Sequence, residues 1–190
     1  AYNHYAVRPS IDYTKEQLEQ HLVKFARQPI VDAITRQPIG YENLARMRSD
    51  SDCLTPNLFL EQLYRATGTP SRHALRVEWL YPGILDGISA TGQSQFINID
   101  PIDVACGVLD KVMQRLTDAG LEKLVVFEFT EESVVEGYPP VHPSKIFERV
   151  RAAGFRIAID DFGKSHSNLD KLLYGKVDFV KMDKELVWSL

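Results

Sequence analysis

Cysteine is nearly missing from this chain. Cys53 and Cys106 stand far apart and without metal-ligand spacing, which argues against a disulfide framework and against a cysteine-based zinc site. They read as buried thiols in a reducing compartment. A basic excess is missing too. The formal net charge of -4 supplies no field for holding a duplex nucleic-acid backbone. No apolar run approaches the ~20 residues of a membrane span, and no signal peptide is visible, so a cytoplasmic location is expected. Low-complexity tracts and linkers are also lacking. Because the first residue is Ala1 rather than methionine, the expectation is a piece of a larger protein, with any membrane or sensory segment outside it.

What remains is an ordinary globular composition. The 190 residues are 44% hydrophobic and 25% charged, enough for one domain with a sizeable core. Residues 13–25, "YTKEQLEQHLVKF", place Leu18, Leu22 and Phe25 at helical spacing behind a Thr14 cap, predicting a lead-in helix. "RQPIVDA" and "IGYENLARM" read as strands joined by a hairpin at "ITRQP". "TPNLFLEQLYRATG" predicts a helix from Thr55 to Gly68, and "SRHALRVEWLYPGILDG" a further helical run broken at Pro82. Strands and helices then alternate: "SQFINID", a long helix over 101–120, "KLVVFEFTE", a helix over 142–154, "RIAIDDF", a helix at "SHSNLDKLLYG", and "KVDFVKMD". Near-continuous apolar strands alternating with helices predict a parallel sheet covered on both faces. The boundaries implied are a lead-in segment over 1–25 and one domain over 26–190.

Polar residues recur where these strands end: Glu42, Asn98, Glu128, the adjacent Asp160 and Asp161, then Lys181 and Asp183. In a parallel α/β sheet or barrel the C-terminal strand ends share one mouth, so these groups converge although distant in sequence. Several oxygen ligands suit a hard divalent cation, and without one some of the acids would be forced to protonate. Each residue alone has an ordinary explanation as a turn, cap or exposed-face residue; their recurrence is harder to dismiss. Two metal-dependent chemistries fit. One is phosphoester hydrolysis by an activated water. The other is proton abstraction beside a carboxylate, with a lysine as base, as in the enolase superfamily.

Five motifs in order resemble the EAL domain, the family that hydrolyses the bacterial second messenger cyclic di-GMP. Glu42-Asn43-Leu44 with Arg46 is similar to its name motif, "FINID" to its Asn-containing strand, and "FEFTE" to its Glu-x-Thr-Glu. "DDFGKSHSNL" is similar to its Asp-Asp-Phe-Gly loop and "DFVKMD" to its Lys-x-Asp strand. The resemblance implies a TIM-like (β/α)8 barrel with an antiparallel first strand, and cleavage of cyclic di-GMP to linear pGpG by in-line attack of a metal-activated water. It implies that Glu42, Asn98, Glu128 and Asp160 hold one Mg²⁺ or Mn²⁺, with Asp161 contributing to a second, and that Ca²⁺ inhibits. Lys181 is implied to meet the attacking water or a phosphate oxygen, Asp183 to support the cluster, and Glu131 to anchor the loop after Asp161. Gln28, Leu44 and Arg46 are implied to line the nucleotide site. A homodimer, and a sensory or GGDEF domain in the parent protein, are the expected partners.

Three departures bear on these expectations. Asn43 replaces the motif's alanine, and Ser165 stands where the loop's second glycine belongs. The family also continues past the Lys-x-Asp strand with two more strand–helix units. About six of the eight barrel strands are therefore expected here, with slow or no hydrolysis by these residues alone. The alternative function is a catalytically impaired domain that serves as a cyclic di-GMP receptor or binds another protein.

Overall fold

Alternation of side chains along 24–46 builds the start of the sheet, with Asp32 capping the turn between the first two strands: its Oδ1 accepts the N–H groups of Ile34 (3.0 Å) and Thr35 (2.7 Å). The computed structural model describes residues 23–48, 53–54, 69–129, 143–162 and 177–183. Strands β1 (Val23–Val31) and β2 (Pro38–Arg48) form the expected antiparallel hairpin, and β3 (Cys53–Leu54) pairs with β2. Helix α1 (Thr69–Thr91) leads to β4 (Ser94–Ile99). Helices α2 (Pro101–Ala105) and α3 (Val108–Asp118) lead to β5 (Val125–Phe129). Helix α4 (Pro143–Ala152) precedes β6 (Arg156–Phe162), and β7 (Phe179–Met182) closes the described order. The sheet runs β1-β2-β4-β5-β6-β7, antiparallel only where β2 meets β1 and β3. This is the α/β barrel architecture with a reversed first strand.

Two apolar layers flank the sheet. Ile97, Ile99, Phe127, Phe129, Ile157 and Ile159 pack against Val77, Leu80 and Ile84 of α1, Leu109 and Leu116 of α3, and Phe147 of α4. Phe96, Val126 and Ala158 form a smaller cluster with Ile30, Ile39 and Phe179. These three residues come from the alternate positions of β4, β5 and β6, so the second cluster belongs to the barrel interior.

Local differences from the sequence reading have physical causes. Val23–Phe25 are extended rather than helical, because they pair with Ala45, Arg46 and Met47 across the hairpin; the rest of the lead-in segment lies outside the described residues. Helix α1 runs through Pro82 instead of breaking there. Pro82 and Glu78 are both exposed, so the carbonyl that loses its i+4 donor faces water. The long helix over 101–120 is two helices, separated at Gly107, whose φ of 73° no helix accommodates. The helices expected over 55–68 and at 165–175 lie outside the described residues.

Candidate functional site

Strands β4, β5, β6 and β7 each carry an apolar residue two positions before a polar one: Phe96 and Asn98, Val126 and Glu128, Ala158 and Asp160, Phe179 and Lys181. A period of two puts both members on the same face. Registry aligns Asn98 with Glu128, Glu128 with Ala158, and Ala158 with Phe179. The apolar members therefore fill the interior, and the polar members gather one step further along, at the C-terminal mouth.

At that mouth Lys181 lies among three carboxylates from three strands. Its Nζ is 2.8 Å from Glu42 Oε2, 2.7 Å from Glu128 Oε1 and 3.1 Å from Asp160 Oδ1. Asn98 Nδ2 donates to the other Glu42 oxygen at 2.7 Å. Glu128 is fully buried, and neither of its oxygens accepts a well-aligned hydrogen bond among the described residues. Burial pushes its carboxyl up to about 8; the Lys181 charge opposes this, while Glu42 and Asp160 add to it. Burial works against the Lys181 ammonium, but Glu128, Glu42 and Asp160 outweigh it and hold its pKa above the ordinary lysine value.

The donor set fits a hard cation. One oxygen from each of Glu42, Glu128 and Asp160 lies within 4.8 Å of the others, and oxygens facing each other across Ca²⁺ at ~2.3–2.6 Å are about 5 Å apart. A buried, poorly solvated carboxylate such as Glu128 is the kind of group that a cation satisfies.

The remaining expected residues fall around this cluster. Asp161 follows Asp160 with a left-handed φ of 56°, at the irregularity where β6 pairs with β7. Asp183 is buried, and its N–H donates to Phe162 O at 3.0 Å. Gln28 sits directly across the hairpin from Glu42, with Leu44 and Arg46 at alternate positions farther along β2. Arg46 Nη1 donates to Ala45 O at 2.9 Å. Glu131 and Ser165 lie outside the described residues.

The sequence reading missed two groups beside the mouth. Arg76 of α1 and Asp103 of α2 form a buried ion pair at 2.5 Å. Asp100, Pro101 and Asp103 were the available signal, since they fit a capped helix start. Asn43, which replaces the motif's alanine, donates through Nδ2 to the buried Gln95 Oε1 at 2.8 Å.

Residues 12–190 match the EAL domain family. The chain belongs to this family. It is 28% identical over 169 residues to the "Probable cyclic di-GMP phosphodiesterase PdeB" of Escherichia coli, covering 86% of this chain and 32% of that protein. Among solved EAL structures, Klebsiella pneumoniae BlrP1, a manganese and cyclic di-GMP complex, superposes with a TM-score of 0.68 at 26% identity, covering 89% of this chain and 42% of that one. The Bacillus subtilis YkuI protein, solved with cyclic di-GMP and calcium, shares the fold at a TM-score of 0.71 and 22% identity, over 91% of this chain and 43% of that one. The chain spans less than a third of each of the first curated relatives it matches. Among the described residues no helix is long and apolar enough to cross a membrane.

Proposed function

We propose that this EAL domain is a metal-dependent phosphodiesterase that opens cyclic di-GMP to linear pGpG in bacterial signalling. The observation that carries the reading is the convergence of Glu42, Glu128 and Asp160 on one ammonium at 2.7 to 3.1 Å. Glu42, Glu128 and Asp160 are the side chains that would hold Mg²⁺ or Mn²⁺, with Asn98 beside them and Asp161 toward a second ion. A divalent cation there supplies Lewis acidity and lowers the pKa of a water.

This chain's own groups do the rest. The Asn98 amide fixes the rotamer of Glu42 through its hydrogen bond. Lys181, kept charged by the neighbouring carboxylates, can bind a phosphate oxygen or orient the attacking water. Arg46 offers a guanidinium suited to paired contacts with phosphate. Gln28 and Leu44 lie along the same hairpin and complete an extended nucleotide groove. Glu131 is assigned to anchoring the loop after Asp161, and Asp183 to supporting the cluster. A homodimer, a sensory or GGDEF partner domain and a cytoplasmic location belong to the same proposal.

The test is anion-exchange chromatography of cyclic di-GMP incubated with the chain and Mn²⁺, Mg²⁺ or Ca²⁺. Release of pGpG with Mn²⁺ or Mg²⁺, its suppression by Ca²⁺ and its loss in Glu42→Gln are expected. Binding of cyclic di-GMP without pGpG under any of these ions would replace the enzyme reading with a receptor. Capture of a small carboxylate but no dinucleotide would revive the enolase-type alternative.

A further inference from the structure

We propose that Arg76 and Asp103 act as a positioning pair for the carboxylate mouth, gripping the end of β4 so that the Asn98 amide meets Glu42. The inference deepens the proposed metal site, and its affinity arm rests on that reading. Asp103 is fully buried, and the Arg76 side chain is 9% exposed. Buried ion pairs seldom stabilise a fold better than apolar residues of similar size, so this one calls for another explanation. Its contacts provide it. Asp103 Oδ2 accepts the Asp100 N–H at 2.9 Å, and the Asp103 N–H returns to Asp100 O at 2.8 Å, closing a capped turn directly after β4. The same carboxylate oxygen meets Arg76 Nη2, which also donates to Asn98 O at 3.4 Å.

One guanidinium–carboxylate unit thus holds the main chain at Asn98 and again at Asp100 and Asp103. Arg76 is itself seated over the Trp79 ring, 5.4 Å from its centroid, and Trp79 packs on Phe25 of β1, 5.7 Å between centroids. The pair therefore ties the β4 terminus to α1. The Asn98 side chain extends from that braced backbone to Glu42.

The test replaces the pair with apolar residues, Arg76→Met with Asp103→Leu, so that no charge is left unpaired and the fold is retained. The first readout is hydrogen exchange of the Asn98 side-chain amide by NMR, its signals assigned by their loss in Asn98→Ala. Exchange about tenfold faster in the double variant is expected, as for an opened hydrogen bond. The second readout is Mn²⁺ affinity by calorimetry. It should fall about tenfold in the double variant, the scale of an outer-shell loss, and change by less than about twofold when the same substitutions are made in Asn98→Ala. A merely structural pair would weaken Mn²⁺ binding equally in both backgrounds, and that result, or unchanged Asn98 exchange, overturns the proposal. If the parent chain takes up no Mn²⁺, the metal reading fails and Asn98 exchange alone decides the pair.

Discussion

Three carboxylates share one ammonium at the mouth, and the imbalance shows in how Glu128 holds its proton. A carboxyl raised to about 8 in the fold, against an ordinary value of 4.5, keeps its proton over a range where the unfolded chain has lost it. Across that window this group binds more protons in the folded state, so the stability it contributes is fullest below about 4.5 and declines as pH rises toward 8. We predict that thermal unfolding in EDTA shows this decline between pH 5 and 8 and that Glu128→Gln removes much of it. Equal slopes for both proteins would refute the assignment. Lys181 is the compensating charge. Lys181→Met should cost about 3 kcal/mol in urea unfolding in EDTA, the scale of a buried pair broken from one side, and Mn²⁺ should restore much of the loss. A variant as stable as the parent in EDTA would show that the three acids do not need the ammonium.

At the scale of elements, the opposite side of β2 explains the Asn43 departure. Asn43 lies buried against Gln95, whose Nε2 donates to Thr91 Oγ1 at 2.9 Å and Gln93 O at 2.8 Å. A Cβ on Gly87 would collide with the Gln95 carboxamide, so the α1 glycine and the β4 glutamine fit only together. Asn43→Ala is predicted to cost about 1–3 kcal/mol by leaving Gln95 Oε1 unpaired. Adding Gln95→Leu should recover part of it in the same chemical denaturation, and a neutral Asn43→Ala would contradict the role. These facing partners also mark what the sequence could convey. Strand β6 was legible to the residue, since "RIAIDDF" is an apolar run ending in acids. The convergence of strand ends was legible because every parallel strand points its C-terminus the same way. Side-chain pairings between elements were not, because Arg76 of α1 with Asp103 of α2 depends on how α1 is rotated about its axis, and Asn43 of β2 with Gln95 of β4 on how those two strands are staggered. Lys181 was expected to meet the attacking water or a phosphate oxygen, and its position within 2.7 to 3.1 Å of Glu42, Glu128 and Asp160 was not legible, because it depends on how β7 is staggered against β6.

For the molecule as a whole, the described sheet has two outer strands, β1 and β7. On β7, Val180 is 41% and Met182 44% exposed, alternating with the inward Lys181. Exposed apolar side chains on an edge strand favour pairing with another chain. Sedimentation velocity should therefore show association that grows with protein concentration. Val180→Lys with Met182→Lys should weaken it without altering the carboxylate mouth; association unchanged by the two lysines would place the contact elsewhere. Pairing at this strand is held in register by Asp178, whose Oδ2 accepts from Arg151 Nη1 and from the Ile157 N–H, both at 2.9 Å.

The ion pair between Glu42 and Lys181 spans 139 positions of chain, and a ribosome makes those positions in order. At about 5–20 residues per second, Glu42 leaves the tunnel roughly 7–28 s before the lysine that neutralises it. During that interval Glu128 and Asp160 emerge as well. A nascent sheet that docks β2, β4, β5 and β6 early brings three acids together with no tethered counter-charge. It must then hold protons, borrow a free cation or keep its mouth splayed until β7 arrives. The last strand thus sets when the mouth can close, and the divalent ion concentration during translation becomes a variable of folding as well as of chemistry.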